Sequence, residues 1–296
     1  MPTPRLVIVH RRTELEELLN RHGTRGQVEF FLKTRGRDLS GPEESHEAQG
    51  AAQAQVRAAL PPGWRLGEVE REDLSSFLLA PEDILVVVGQ DGLVANAAKY
   101  LQGQPVIGVN PEPFRNPGTL VRMTPSEASE RLKVCHDPAV LPLERRTMVT
   151  ARTDDGQELS ALNEVFIGHP SHQSARYRVR TPQGAEENHS SSGLIVATGT
   201  GSTGWCASIA LERGGRLLPG PTEPHLSWFA REAWPSPATG VGLTEGVLQP
   251  GEELSVTIAS DRLVAFGDGM ENDRLHLMWG QEVRIGTAAT PLNLVI

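Results

Sequence analysis

An acidic residue stands between turn formers in DILVVVGQDGLVANAAKYL, the stretch that covers residues 83–101. A buried strand ends at Gly89, and apolar residues at helical spacing predict a helix that starts just after Gly92. The unpaired N–H groups at a helix start attract phosphate, and glycines let the backbone approach it closely. Asp91 would then sit beside the phosphate, either to accept a proton from an attacking hydroxyl or to hold a metal ion.

Taken alone, this stretch favours a simpler interpretation, a turn in which Asp91 caps the next helix. A second stretch, SSSGLIVATGTGSTGW at residues 190–205, points to binding more directly. There a strand runs into three glycines that alternate with four hydroxyl residues, Thr198, Thr200, Ser202 and Thr203. Such a loop offers N–H and O–H donors with little bulk, which suits a nucleotide's ribose, phosphate or base edge. A flexible turn needs fewer small residues than this ordered strand-to-helix junction contains.

A third stretch places Asn163 and Glu164 inside a strand predicted over 159–167 that is otherwise apolar. A buried amide and carboxylate need partners, which either a ligand's hydroxyl groups or the neighbouring backbone could supply. Asp268, in Gly-Asp-Gly after a predicted strand at 263–266, is a weaker candidate. As bare sequence, that segment is typical of a hairpin turn.

The composition is that of an ordinary globular protein, with 38% hydrophobic and 22% charged residues in a chain of 296. With a net charge of −9, the chain lacks the excess of positive charge that is typical of proteins that bind nucleic acids or anionic membranes. Cys135 and Cys206 make neither a disulfide framework nor a zinc site, and no metal ligands are predicted. No window approaches the ~18 apolar residues of a membrane span. We therefore expect a soluble, cytoplasmic protein without nucleic-acid or membrane partners.

The predicted secondary structure that positions these residues changes near residue 141. Strands and helices alternate before it, which predicts an α/β domain with a parallel, Rossmann-like sheet at 1–141. After it, strands dominate, with one helix after Gly204, which predicts a β-rich domain at 142–296 whose last residues could return to the first domain. The predicted strands of this second half lie at 148–152, 159–167, 175–181, 194–198, 254–258, 263–266, 275–279 and 292–296.

Helix signals are clearest in the first half. Capping boxes at Thr13 and Thr124, each followed three residues later by Glu, predict helix starts. The polar segment 33–46 predicts a loop, and the Ala- and Gln-rich segment 47–60 predicts a helix that Pro61 stops. The flanking tryptophans of WFAREAW, Trp228 and Trp234, are expected in the core of a β-sandwich.

Together and in this order, the three stretches resemble the NAD kinase family, which has a Gly-Gly-Asp-Gly-Thr turn, an Asn-Glu strand and a Thr-Gly-Ser-Thr loop. ALNEVFIG followed by SSGLIVATGTGSTGW, with PVIGVNPEP upstream, is most similar to the mitochondrial-type branch. The resemblance spans residues 6–280 approximately. The first motif alone would also fit phosphofructokinases and diacylglycerol-type lipid kinases, but the other two motifs disfavour a lipid or sugar kinase.

The resemblance implies phosphorylation of the adenosine ribose 2′-hydroxyl of NAD by ATP to give NADP, with Mg²⁺ carried by the substrate phosphates. By position, Asp91 would be the catalytic base, and Gly89 and Gly92 would line the phosphates. Asn163 and Glu164 would bind the dinucleotide's hydroxyls. The rest of the pocket would come from Thr200, Gly201, Ser202, Thr203, Gly204, Trp205 and Asp268. The family fold, an N-terminal α/β domain and a C-terminal β-sandwich, implies a homodimer or a higher homo-oligomer that binds small-molecule nucleotides.

The first motif departs from the family in GQDGL. Gln90 replaces the second glycine, at a local cost of about 1–2 kcal/mol if a positive φ is needed there, although its amide could donate to a phosphate. Leu93 replaces threonine and removes a hydroxyl from the helix start. Ser192 stands where the common bacterial branch has Asp, although the mitochondrial-type branch shares Ser. These departures leave a second hypothesis open, a catalytically weakened dinucleotide-binding or regulatory protein of the same fold.

Overall fold

The computed structural model describes residues 4–134, 141–215 and 218–296, which form two compact units. Of these residues, the first unit comprises those up to Ala97, Leu101–Glu144 and Asn293–Ile296, and the second comprises Ala98–Tyr100 and Arg145–Leu292. Cys135 lies outside the described residues. Among the described residues, no helix combines the length and the apolar character that crossing a membrane requires.

The described residues form six α-helices, two short 3-10 helices and eighteen strands. The helices are α1 (Glu14–His22), α2 (Arg25–Lys33), α3 (Ser40–Ala58), α4 (Asp91–Ala98), α5 (Pro125–Val134) and α6 (Trp205–Glu212), with 3-10 helices at Arg71–Ser76 and Gly201–Thr203. The strands are β1 (Arg5–His10), β2 (Arg65–Glu70), β3 (Asp83–Val88), β4 (Pro105–Val109), β5 (Leu143–Arg146), β6 (Val149–Thr153), β7 (Glu158–Ala161), β8 (Glu164–Gly168), β9 (Ala175–Arg180), β10 (Glu186–Ser191), β11 (Leu194–Ala197), β12 (Leu226–Ala230), β13 (Glu245–Leu248), β14 (Glu253–Ile258), β15 (Leu263–Gly267), β16 (Leu275–Leu277), β17 (Glu282–Thr287) and β18 (Leu292–Val295).

Both predicted capping boxes are confirmed. The Thr13 hydroxyl accepts the N–H of Glu16 at 3.3 Å, and the Glu16 carboxylate accepts the N–H of Thr13 at 2.7 Å. Thr124 and Glu127 make the same two bonds at 3.3 and 2.8 Å. These reciprocal bonds satisfy N–H groups that a helix start leaves free, so α1 and α5 begin where the local sequence indicates.

The first unit is built on a six-stranded sheet in the order β2-β1-β3-β4-β18-β5. Strands β1 to β4 and β18 pair in parallel. The apolar runs of β1 and β3 are fully buried, as expected of parallel strands covered on both faces. Because parallel strands end at one edge, the segments after β1, β3 and β4 share the edge where open α/β sheets bind ligands.

The second unit is a β-sandwich of two six-stranded sheets. Their orders are β10-β9-β14-β17-β6-β7 and β13-β12-β11-β8-β15-β16, and the neighbouring strands run antiparallel. Alternate residues of both sheets face a shared core that includes Tyr177 and Trp228. Helix α6 covers the outer face of the second sheet, where Cys206 and Ile209 pack against Phe166 and Phe229.

The predicted loop at 33–46 is partly wrong, because α3 begins at Ser40. Its first turn is supported by packing, with Leu39 and Pro42 buried. The sequence interpretation also missed α2, which Thr24 caps by accepting the N–H of Gln27. Both helices contribute to a small apolar cluster around Leu18, Val28, Leu32 and Leu39. Tertiary burial therefore stabilises helix where local propensity is weak.

The predicted strand at 159–167 is two strands, β7 and β8, separated at residues 162 and 163. The expected core position of Trp234 is also wrong, since it is 69% exposed whereas Trp228 is 2% exposed. The N–H of Trp234 donates to the carbonyl of Ser190 on the edge strand β10, so its segment runs over the outside of the sandwich.

Candidate active site

The Gly-Gln-Asp-Gly turn joins β3 to α4 at the carboxyl edge of the parallel sheet. Oδ1 of Asp91 accepts the N–H groups of Leu120 and Val121 at 2.8 and 2.9 Å. The N–H of Thr119 lies 3.1 Å from Oδ1 and 2.8 Å from Oδ2. We call this arrangement the Asp91 clamp. The carboxylate thus anchors the loop after β4, and the interpretation in which it caps its own helix is not what the structure has.

Two glycines make the Asp91 clamp possible. A Cβ on Gly108 would lie 2.1 Å from the carbonyl oxygen of Leu120, and one on Gly118 would lie 2.3 Å from that of Val121. The loop can reach Asp91 only because both positions lack a side chain. The sequence interpretation did not include the 118–121 loop, although a glycine inside the buried strand β4 is a signal of close backbone approach.

Gln90 does not carry the strain expected of it. It is exposed, and among the described non-glycine residues only Glu232, Arg262 and Asp268 have positive φ. The condition for the local cost, a positive φ at residue 90, is therefore not met. Leu93 is 3% exposed, and its Cδ2 lies 3.2 Å from where a Cβ on Gly89 would be, so the leucine contributes to the core.

A cavity of about 370 Å³ opens beside Gly89 and Gln90, within the first unit. It is lined by polar and charged side chains that include Arg11, Arg12, Gln49, Asn110 and Arg115. Arg12 pairs with Glu70 at 3.1 Å and Arg115 with Glu112 at 3.1 Å, whereas Arg11 has no ion pair within the described residues. Nothing lies within 4 Å of a Cβ built on Gly92, which leaves room next to the start of α4.

In the second unit, the turn after β15 carries Asp268 with φ of 51°. Its Oδ2 accepts the N–H of Leu162 at 2.7 Å, and its Oδ1 accepts the N–H of Asn163 at 2.7 Å, with a longer contact of 3.4 Å to that of Glu164. Its own N–H donates to the carbonyl of Glu164 at 3.2 Å. We call this arrangement the Asp268 clamp. It explains the break between β7 and β8, and it brings Asp268 directly against the Asn-Glu pair.

Both carboxyl groups at the Asp268 clamp have raised pKa values. Burial and, to a lesser extent, the charge of Asp268 raise the pKa of Glu164 to about 7. Burial also raises the pKa of Asp268 to about 6, although the N–H groups of 162–164 and the ammonium of Lys99 oppose that rise. Glu164 therefore changes charge near neutral pH, which is typical of residues at functional sites.

The glycine-rich loop packs onto the same segment. The N–H of Thr198 donates to the carbonyl of Asn163 at 2.9 Å, and the Thr198 hydroxyl donates to the carbonyl of Leu162. A Cβ on Gly201 would lie 2.4 Å from the Asn163 oxygen, so glycine is required there. The hydroxyl of Thr200 is buried and has no hydrogen-bond partner in the described part of the chain. Such a group can bind a ligand without losing an existing bond.

The end of this loop forms a short 3-10 helix that leads into α6. The hydroxyls of Ser202 and Thr203 donate to backbone carbonyls of the loop at 3.3 Å, and Gly204 is exposed. Trp205 is 37% exposed, and its ring stacks on Phe166 with centroids 5.6 Å apart. Among the predicted residues of this segment, Gly201 packs against Asn163, Thr200 is buried in the loop, and Ser202 to Trp205 are half-buried or exposed.

Other reactive groups offer less. Burial raises the pKa of the Cys206 thiol to about 12, so it is a packing residue. Within residues 4–134, 141–215 and 218–296, no group of three or more His, Cys, Asp and Glu side chains could hold a metal ion.

Comparison with known proteins identifies relatives along most of the chain. The chain is 31% identical over 210 residues to the NAD kinase of Methylococcus capsulatus. The aligned region covers 66% of this chain and 68% of that relative. This chain belongs to the NAD kinase family. No family model matches it. It is also 25% identical over 251 residues to a probable NADH kinase of Oryza sativa, which covers 77% of this chain and 75% of the relative.

The expected resemblance to NAD kinases is thus confirmed, and mitochondrial NAD kinase 2 of Rattus norvegicus is 28% identical over 254 residues, 69% of this chain and 60% of that relative. Among solved structures, an NAD kinase from Archaeoglobus fulgidus in complex with ATP has a TM-score of 0.58 and covers 99% of this chain and 93% of its own. At 18% identity that likeness shows the fold alone. It confirms the predicted α/β domain followed by a β-sandwich.

Proposed function

We propose that this member of the NAD kinase family transfers the γ-phosphoryl group of ATP to the adenosine ribose 2′-hydroxyl of NAD, giving NADP and ADP. The observation that carries the proposal is the identity of 31% with an NAD kinase over about two thirds of both chains. A fold shared along 99% of the chain with a kinase solved with ATP supports ATP as the donor. The order of the three motifs supports the same reaction.

In this proposal Asp91 takes the proton of the attacking hydroxyl. The O2′–H bond breaks, O2′ bonds to the γ-phosphorus, and the bridging P–O bond breaks as ADP leaves. The clamp decides which oxygen can do this, because Oδ1 has three N–H contacts whereas Oδ2 has one. Oδ2 keeps the greater acceptor capacity and is the proposed proton acceptor.

The donor phosphates lie, in this proposal, at the start of α4 and beside the cavity near Gly89. Open space at Gly92 lets them reach the first N–H groups of the helix. Gln90 offers its amide, and Arg11 offers a guanidinium that is not committed to a carboxylate of the described chain. Mg²⁺ enters as part of the nucleotide substrate, where it neutralises phosphate charge.

The dinucleotide is proposed to bind at the Asp268 clamp. Asn163 and Glu164 hydrogen-bond its hydroxyl groups, the free hydroxyl of Thr200 adds a polar contact, and Trp205 provides an aromatic face. The alternative of a weakened regulatory protein is not favoured, because the relatives are named as kinases. Of its two reasons, the strain at Gln90 is absent, whereas Leu93 still removes a hydroxyl from the helix start. A cytoplasmic location and a homodimer or larger oligomer stay predictions from the sequence, which localisation in cells and light scattering would test.

The test is NADP formation from NAD, ATP and Mg²⁺ by the wild type, by Asp91→Asn and by Asp261→Asn, an exposed control. We expect turnover by the wild type and the control, and a loss of about 100-fold or more for Asp91→Asn with NAD binding retained. A wild type that binds NAD without turnover would support the regulatory alternative. A wild type that does not bind NAD overturns both. NADH and polyphosphate, used in parallel, define the preferred acceptor and donor.

A further inference from the structure

Lys99 is a nearly buried lysine in the second unit. Its side chain is 4% exposed. Its ammonium lies 2.8 Å from Oδ2 of Asp273 and donates to the backbone carbonyl of the same residue at 2.8 Å. The hydroxyl of Tyr100 donates to that Oδ2 at 2.6 Å. Two consecutive residues therefore hold one aspartate of the turn between β15 and β16.

This turn is the one that starts with Asp268. Within this turn, the N–H of Met270 donates to the carbonyl of Gly267 at 3.0 Å. The N–H of Asp273 donates to the carbonyl of Met270 at 3.2 Å. The backbone bonds thus connect the position that Lys99 holds to the position of the Asp268 clamp. The charge of Lys99 also acts on Asp268, since it lowers the pKa of that carboxyl against the effect of burial.

We propose that Lys99 is a positioning residue for dinucleotide binding, which fixes the 268–273 turn and supplies the positive charge that lets Asp268 hold the N–H groups of Leu162 and Asn163. The proposal rests on the proposed function, because its kinetic consequence concerns NAD. Lys99 does not touch substrate in this scheme. It acts through Asp268 on Asn163 and Glu164.

The charges around Asp268 determine in which direction replacing Lys99 shifts the pH at which the clamp opens. Lys99 and the N–H groups of residues 162–164 favour the ionised form of Asp268, whereas burial disfavours it. Asp273 partly neutralises Lys99, and Tyr100 binds Asp273. A protonated Asp268 turns one acceptor oxygen into a donor that faces N–H groups, so the clamp opens. Removal of the Lys99 charge should therefore raise the pH at which the clamp opens.

The experiment compares Lys99→Met, Lys99→Arg and the exposed control Lys33→Met. The readouts are kcat and KM for NAD between about pH 5 and about pH 9. KM for NAD should rise at low pH, and we call this part of its pH profile the acidic limb. In Lys99→Met the acidic limb should lie about one pH unit higher, so that KM is raised up to tenfold in that pH range. The value of kcat should be nearly unchanged. Lys99→Arg should restore the wild-type limb. A lower Tm or kcat with an unmoved limb indicates a merely structural role and overturns the proposal.

A further variant should shift the acidic limb of KM in the opposite direction, and it keeps the test decisive if Lys99→Met does not fold. Asp273→Asn leaves the Lys99 charge unpaired, so the limb should move to lower pH, and an unmoved limb there overturns the proposal. An NMR titration of the Asp268 carboxyl carbon in the same variants needs no ligand. A wild type that fails to bind NAD while this titration shifts as expected refutes the proposed function but not the role of Lys99.

Discussion

The Asp91 clamp and the Asp268 clamp solve the same problem in two units of different architecture. In both, an aspartate follows a buried strand and binds the N–H groups of three consecutive residues, 119–121 in one case and 162–164 in the other. In both, the clamped segment comes from a distant part of the chain. A charged acceptor makes stronger bonds to backbone N–H groups than a neutral one, which favours aspartate at such positions.

The clamps differ in their surroundings. Asp91 begins a helix directly after Gln90, which lines a polar cavity, and its Oδ2 accepts a single N–H. Asp268 has a positive φ and lies among Glu164, Lys99 and the backbone, where burial raises its pKa to about 6. Under the proposed function, the acidic residue of the Gly-x-Asp-Gly turn is a reacting group, whereas that of the Gly-Asp-Gly turn is an anchor. The neighbours of each aspartate decide between the two roles.

The largest effect on stability is expected from Asp268→Asn. The amide NH₂ would face N–H groups that now meet a carboxylate, so the free energy of unfolding should fall by about 3 kcal/mol and NAD binding should be lost. Urea unfolding, followed by tryptophan fluorescence, measures the first quantity, and calorimetry measures the second. Asp261→Asn, at an exposed position, is the control.

The same substitution at Asp91 should cost less stability, about 2 kcal/mol, because that clamp is partly solvated, while turnover falls far more than NAD binding. If Asp91→Asn and Asp268→Asn produced the same pattern of lost stability, binding and turnover, the distinction between reacting group and anchor would be wrong.

A smaller effect concerns pH. The pKa of Glu164 is about 7 in the folded chain, above its ordinary value of 4.5, so between these values the folded state binds more protons than the unfolded state. The free energy of unfolding should therefore fall as pH rises through this window, by about 3 kcal/mol, and level off above pH 7. Glu164→Gln should remove the contribution of Glu164 and leave that of Asp268, whose pKa of about 6 also lies above its ordinary value of 3.8 and gives the same sign. Unfolding curves across the window measure it, and an unchanged slope in Glu164→Gln contradicts the assignment.

The smallest effect is expected at Gln90. Since its backbone lacks a positive φ, Gln90→Gly should lower the free energy of unfolding by no more than about 1 kcal/mol, through greater freedom of the unfolded chain. Leu93→Thr should cost about 2 kcal/mol because Leu93 is buried. Thermal unfolding compares the two. A Gln90→Gly variant that gains stability, or gains turnover more than about tenfold, would restore the idea that this turn is strained.

Local signals determined much of the fold. The apolar runs of β1 and β3, the alternation in Ala175–Arg180 and the capping boxes of α1 and α5 each fit one element type, and the structure has those elements. The start of α3 and the whole of α2 were missed. Their helical state depends on packing around Leu18 and Leu39, which a local pattern does not include.

For the candidate site, local patterns predicted the residues proposed to carry chemistry: Asp91, the Asn163-Glu164 pair and the Thr200–Trp205 loop, in a family order. What these residues contact became visible only in the folded structure. The Asp91 carboxylate meets residues 28–30 positions away, and Asp268 meets residues more than 100 positions away. Lys99 and Asp273 are 174 positions apart in the chain. Such pairings depend on how strands and helices pack, because the bonds form only after distant segments have been brought together, and no local spacing records them.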